Sequence, residues 1–278
     1  IMEQALYNGA MSGLSLDGKT FFYENPLESG GKHHRWIWHH CPCCPPNIAR
    51  LLASVQSYMY AVADDEIAIH LYGESMARFE CSGAKVELTQ KTAYPWEGAI
   101  HFDIALDRPA RFAISLRIPE WADGTSLQVN GETIDLASVT VDGYARIERQ
   151  WQSGDRIDLE LPLRARALWA NPLVRQDAGR KALMRGPLVY CVEATDNGTG
   201  LNGIELGELG SATESTIAEL NGAVALDLPV LRDQADWGSS LYRTAPPAAK
   251  PSTARFVPYH LWDNRAPGEM LVWVQSEK

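Results

Sequence analysis

Apolar residues change their spacing along the chain, and each change marks a different kind of element. From residue 1 to about 62 they recur every three or four positions, loosely from Ala5 to Met11 and more regularly at Ile48, Leu51, Leu52, Val55 and Met59. That recurrence predicts amphipathic helices with one buried face. Pro45 and Pro46 suit the start of the second helix, and Asn47 reads as its N-cap. Ile1 opens inside such a pattern with no cap before it, so the sequence is expected to be a piece of a longer one.

From about Ile67 the period falls to two, as in Ile67 to Tyr72, Lys85 to Thr89 and Ile100 to Ile104, which predicts strands. Further strands are expected at Phe112 to Ile118, Leu127 to Val129, Ala145 to Glu148 and Ile157 to Leu161. Asp123-Gly124, Asn130-Gly131, Asp142-Gly143 and Gly154-Asp155 punctuate them, a spacing that describes an antiparallel β-sandwich. A second all-β unit is expected from Asn171-Pro172, with strands at Lys181 to Met184 and Leu188 to Val192 around Gly186-Pro187, and a closing strand at Met270 to Val274. Residues 195 to 225, rich in Gly, Thr, Ser, Asn and Glu, read as long loops. The expected domains are therefore 1–62, helical; 63–170, a β-sandwich; and 171–278, a second β-sandwich.

Composition narrows the function classes. With 278 residues and 45% hydrophobic content the chain can bury substantial cores. A net charge of −10 opposes nucleic acid, whose binding draws on clustered Lys and Arg. No apolar run approaches the ~18 residues needed to span a bilayer, and the first residues have no signal-peptide pattern. No membrane partner and a cytoplasmic location are expected; a homodimer stays open.

Three of the five cysteines fall in Cys41-Pro42-Cys43-Cys44-Pro45-Pro46-Asn47. Such crowding on a proline-stiffened turn suits a metal ion, a nucleophile, or both, because a helix N-terminus and a bound metal each favour the reactive thiolate. A closed zinc site needs four ligands. His40, Cys41, Cys43 and Cys44 alone would be too compressed for a zinc finger, and inert buried thiols are the bland alternative. A metal completed by ligands from elsewhere is the third reading.

The stretch Cys43-Cys44-Pro45-Pro46-Asn47 followed by Ala49-Arg50-Leu51-Leu52-Ala53-Ser54 resembles the signature of glycoside hydrolase family 127, the β-L-arabinofuranosidases. Ala5 to Gly9, Ser15 to Gly18, Phe22 to Leu27, Arg117 to Trp121, Arg185 to Tyr190 and Asn264 to Gly268 resemble it too, so the likeness spans nearly the whole chain. It implies a mainly β fold here: the helical end of an (α/α)6 barrel followed by two antiparallel β-sandwich domains. It also implies a Zn²⁺ held by three cysteines and a glutamate, in a retaining enzyme acting on plant-derived arabinosides. By motif, Cys43 resembles the nucleophile that also touches the metal, Cys44 a second zinc thiolate, Cys41 a neighbouring non-ligand cysteine and Tyr23 an active-site tyrosine. The family's Glu-x-Cys pair and its acid/base glutamate have no counterpart in residues 1 to 40. The resemblance therefore implies a C-terminal portion, inactive alone, with zinc weak or absent.

Other residues are weighed against plainer roles. His33, His34, His39, His40, Trp36 and Trp38 crowd one loop, as in sugar sites, yet wall packing and solvation would explain them equally. Glu24 and Glu28 read as turn or surface carboxylates rather than acid/base groups. His70, His101 and His260 read as strand residues, and Asn197-Gly198-Thr199 matches the glycosylation pattern. The alternative function is a non-catalytic carbohydrate-binding or interaction protein, since β-sandwiches often serve binding.

Overall fold

The computed structural model describes residues 1–210, 212–233, 237–245 and 248–277. Strands dominate, as the period-two segments require, and the backbone divides into two compact units. One is Ala49–Arg164; the other joins Ile1–Ile48 to Ala165–Lys278.

Ala49–Arg164 is a sandwich of two sheets. Five strands run in the order Thr140–Val141, Tyr144–Trp151, Ala110–Arg117, Glu66–Ile69, Tyr60–Val62; six run Ser75–Cys81, Ala84–Thr92, Ala99–Leu106, Arg156–Glu160, Ser126–Val129, Glu132–Thr133. Pairing is antiparallel except between Glu66–Ile69 and Ala110–Arg117, which run parallel. Alternation decides which side faces in: Ile100, Phe102 and Ile104 are buried while His101 points out. Trp151, fully buried, donates its indole N–H to the Phe112 carbonyl at 3.0 Å. The turns fix the register. Asn130-Gly131 and Asp142-Gly143 carry positive φ at both central residues (53° and 82°; 51° and 79°), the type I′ geometry that matches strand twist.

In the other unit Glu28–Gly30 pairs with Glu269–Leu271, which pairs with Leu188–Glu193; the sheet then continues through Ala249–Pro258, Ala223–Asp233, Ile204–Leu206, Val274–Ser276, Arg180–Arg185 and Ala165–Trp169. Arg180–Arg185 divides one edge between two partners: Arg180 and Lys181 face Val274–Ser276, whereas Leu183 to Arg185 face Leu188–Glu193. The ladder thereby closes a circuit of six strands. Ile204–Leu206 and Val274–Ser276 form its one parallel pair.

The segment read as long loops contains the strands Ile204–Leu206 and Thr213–Ile217. Their pairing with Ala223–Asp233 overrides a loop-like composition. Asn197 is buried there, its amide donating to the Glu193 and Arg255 carbonyls, which removes it as a glycosylation acceptor in the folded chain.

The N-terminal residues fold onto this unit. A short helix Met2–Gln4 widens into a π-helical turn Ala5–Ala10 and a 3-10 turn Met11–Gly13. Asn8 ties it down, donating to the Gln4 and Pro187 carbonyls at 2.9 and 2.8 Å and accepting from the Val189 N–H at 2.7 Å.

The second helix spans Cys44–Ser54, four residues ahead of the start that an Asn47 cap would set. Asn47 is therefore not the N-cap. It lies in the first turn, and its amide donates back to the Cys43 carbonyl at 2.9 Å. Pro45 and Pro46 fill positions whose missing N–H groups would have had no helical partner. No residue of Cys44–Ser54 is buried, so the stripe of Ile48, Leu51 and Leu52 is correctly periodic but remains partly exposed.

Candidate functional site

Residues 21 to 47 hold the chemistry, and three strips of backbone order them. Phe21 exchanges both backbone hydrogen bonds with Trp36, at 3.0 and 2.8 Å, and Phe22 donates to the Gly13 carbonyl. This pairing lays Tyr23 beside the stretch that leads into the cysteines.

The tie below it is Arg35. Its guanidinium is buried and donates to the carbonyls of Trp262, Ser12 and His260, while lying 4.2 Å over the Phe22 ring. Burial pulls its pKa down to about 10, opposed by the charges of Asp263 and Glu193. Asp263 completes the anchor: one carboxylate oxygen accepts from the Arg35 N–H at 2.9 Å and the other meets His34 Nδ1 at 2.7 Å. Asp263 is in turn held through its own N–H by Glu193, which Arg265 grips together with Asp196. Burial raises the Glu193 pKa, against the opposing pull of its Arg265 hydrogen bond.

Above this anchor stands an aromatic stack. Tyr23 lies on His39 at 4.6 Å between ring centres, His39 meets Trp36 at 4.7 Å, and His40 stacks on His39 at 4.3 Å. Tyr23, Glu24, His33, His34, Trp36 and His39 line a cleft of about 240 Å³. That is smaller than a typical drug-sized pocket of ~300–1,000 Å³, and its lining combines aromatic ring faces with polar tips.

The cysteines adjoin the stack. The Cys41 N–H donates to His39 Nδ1 at 3.2 Å; Cys41 Sγ lies 4.0 Å from Cys43 Sγ, which lies 3.8 Å from Cys44 Sγ. Negative charge on Cys41, and then on Cys43, raises the pKa of Tyr23, so its hydroxyl stays protonated beside the thiols. All five cysteines are free. Among the described residues no group of three or more His, Cys, Asp or Glu side chains is arranged to hold a metal ion.

Two thiols nevertheless fit part of a metal site. At a Zn–S bond of ~2.3 Å, two corners of a tetrahedron stand ~3.8 Å apart. Cys43 and Cys44 already have that separation.

The structure thus brings Tyr23, Cys41, Cys43 and Cys44 together with His39, Trp36 and Glu24. Glu28 lies elsewhere, in an edge strand facing Arg180 at 3.4 Å. His70 bonds the Tyr144 hydroxyl, His101 pairs with Asp158 and His260 is buried. Arg35 and Asp263 escaped the sequence reading because 228 positions separate them and neither carries a local pattern. The one available signal was Asn264 to Gly268, next to Asp263.

A clustered-thiol turn thus leads into a short helical segment in a chain that is otherwise mainly strands. Three family models match in succession: the β-L-arabinofuranosidase GH127 catalytic domain over residues 1–57, the GH127 middle domain over 66–163 and the glycoside hydrolase family 127 C-terminal domain over 165–275. The chain belongs to glycoside hydrolase family 127. It is 38% identical to a non-reducing end β-L-arabinofuranosidase of Bifidobacterium longum subsp. longum, covering 98% of this chain and 44% of the relative. The crystal structure of a GH127 β-L-arabinofuranosidase from Geobacillus stearothermophilus T6 superposes with a TM-score of 0.93 at 39% identity, covering 99% of this chain and 46% of that one. A GH127 β-arabinofuranosidase gives 0.90 at 34% identity, covering 99% and 45%. The chain spans less than half the length of these relatives. Among the described residues no helix is long and apolar enough to cross a membrane.

Proposed function

We propose that this chain carries the thiol half of a retaining, zinc-dependent β-L-arabinofuranosidase site acting on plant arabinosides, with Cys43 as nucleophile. The observation that carries the proposal is the 3.8 Å separation of the Cys43 and Cys44 sulfurs beside a sugar-sized aromatic cleft. In most retaining glycosidases two carboxylates ~5 Å apart share the work, one attacking the anomeric carbon and one protonating the leaving oxygen. Here a sulfur takes the attacking role. Cys43 and Cys44 would hold the zinc, whose chemistry when bound is to keep sulfur anionic near neutral pH.

The other residues bind and orient. Cys43 Sγ attacks the anomeric carbon as the glycosidic C–O bond breaks and the leaving oxygen departs protonated; water then displaces the sulfur from the thioglycosyl intermediate and frees Cys43. Tyr23, protonated, offers a hydroxyl donor beside the sulfur, while the Trp36 and His39 faces hold the ring. The acid/base carboxylate is not assigned to Glu24 or to any other residue of this chain. The chain alone is accordingly expected not to hydrolyse p-nitrophenyl β-L-arabinofuranoside; turnover surviving Cys43→Ser would overturn the nucleophile assignment.

Metal binding tests the ligand set directly. With only two of four ligands supplied, the reduced chain should hold Co²⁺, used as a zinc probe, weakly; the thiolate charge-transfer band reached at high Co²⁺ should fall about tenfold or more in Cys43→Ser and in Cys44→Ser. Cys41→Ser should leave it within about twofold. An equal loss in all three variants would sink the assignment.

A further inference from the structure

Cys41 has no part in that scheme, yet its sulfur is exposed and 4.0 Å from Cys43 Sγ. We propose that Cys41 and Cys43 form a peroxide-driven disulfide, making this turn an oxidative modification site with Cys41 as the resolving thiol. The proposal rests on neither the zinc nor the sugar assignment.

Two neighbours compete for an oxidised Cys43, and distance alone would favour Cys44. Backbone geometry reverses that preference. Adjacent Cα atoms across a trans peptide stand ~3.8 Å apart, below the ~4.4–6.8 Å span of ordinary disulfides. Relief would require turning the peptide between Cys43 and Cys44, and that peptide is pinned: the Cys43 carbonyl accepts from the Asn47 N–H at 3.3 Å and from the Asn47 amide at 2.9 Å. Cys44 is also the first residue of the helix. Cys41, by contrast, lies two positions away on a turn outside the helix, and two residues can span at most ~7 Å, so its Cα can lie within the disulfide range. Side-chain rotation can then bring the two sulfurs to bonding distance. Cys81 and Cys191 are buried, which confines the chemistry to this turn.

The step balances with a hydroperoxide as oxidant. Cys43 sulfur attacks one peroxide oxygen and the O–O bond breaks, giving a sulfenic acid and, with the thiol proton, one water. Cys41 sulfur then attacks Cys43 sulfur; the S–S bond forms, the S–O bond breaks, and hydroxide leaves with the second thiol proton as water. Two thiols lose two electrons and hydrogen peroxide becomes two waters. In the bridged form Cys43 has no free sulfur for attack or for metal.

Trypsin places all three thiols in one peptide, Trp36 to Arg50. The reduced, chelator-treated full chain is exposed to hydrogen peroxide, blocked with iodoacetamide and mapped by mass spectrometry. The expected product has lost two hydrogens and carries one alkyl group, on Cys44. Cys41→Ser should reduce that two-hydrogen loss at least ~10-fold and leave Cys43 as sulfinic or sulfonic acid. Alkylation of Cys41 instead of Cys44, full yield of the same loss in Cys41→Ser, or three alkylated cysteines after peroxide would each overturn the proposal.

Discussion

The sandwich of Ala49–Arg164 and the segment from Tyr23 to Cys44 solve opposite problems with similar residues. In the sandwich, Phe102, Phe112 and Trp151 are sealed in and every strand is held by its neighbours. In the site segment Trp36, Ile37 and Trp38 are 48%, 81% and 69% exposed. Both carry large aromatic side chains, but their anchoring differs. The sandwich spreads its stability over many packed contacts, whereas the segment is held at a few points: Arg35, Asp263, the Phe21–Trp36 backbone pair and the short strand Glu28–Gly30. Damage to the first should therefore unfold a unit, and damage to the second should loosen a site while its unit stays folded.

The largest expected effect is in the sandwich. Trp151→Ala removes a fully buried indole and its bond to the Phe112 carbonyl, and should cost about 3–5 kcal/mol in urea denaturation. The Co²⁺ thiolate band should survive at urea concentrations that unfold the variant sandwich. Joint loss of both signals would erase the contrast.

Acid should act on the unit that carries the site. Burial lowers the His260 pKa from 6.5 to about 4, with the Arg35 charge adding to the shift. The unfolded chain then takes up a proton before the folded one does, so this contribution is whole above pH 6.5 and declines as pH falls toward 4. The loss amounts to about 3 kcal/mol at the acid end. His260→Gln should flatten the fall of the urea midpoint across that window; an unchanged slope would contradict the buried neutral imidazole.

Arg35→Met takes the guanidinium from over the Phe22 ring and leaves the Trp262, Ser12 and His260 carbonyls without that partner. A loss of about 2 kcal/mol is expected. Its clearer mark should be faster alkylation of Cys41 and Cys43 with sandwich stability unchanged. Equal alkylation rates would show that the segment is held by something other than this anchor.

The same contrast explains what the sequence disclosed. Strands between Ile67 and Leu161 were legible because alternation and type I′ dipeptides such as Asn130-Gly131 are both local signals. The cysteine cluster was legible as chemistry because its members are adjacent. Asn47 was misread as the cap because its amide does bond a carbonyl at the helix start, but from inside the first turn. The burial of Ile48, Leu51 and Leu52 was misread because periodicity states which side is apolar, not whether anything covers it. The Arg35 to Asp263 anchor and the double pairing of Arg180–Arg185 are long-range, and no window of sequence contains them.

That double pairing has a mechanical corollary. A ring of ladders offers no loose end from which to unzip, so fraying in this unit must start at the appended strands Glu28–Gly30, Ala165–Trp169 and Thr213–Ile217. Amide protons of Leu188–Glu193 and of the adjoining half of Ala249–Pro258 should be the last there to trade with deuterium. Since Glu28–Gly30 continues directly into the residues that order the thiols, the solvent clock of that short outer strand would also time the breathing of the site.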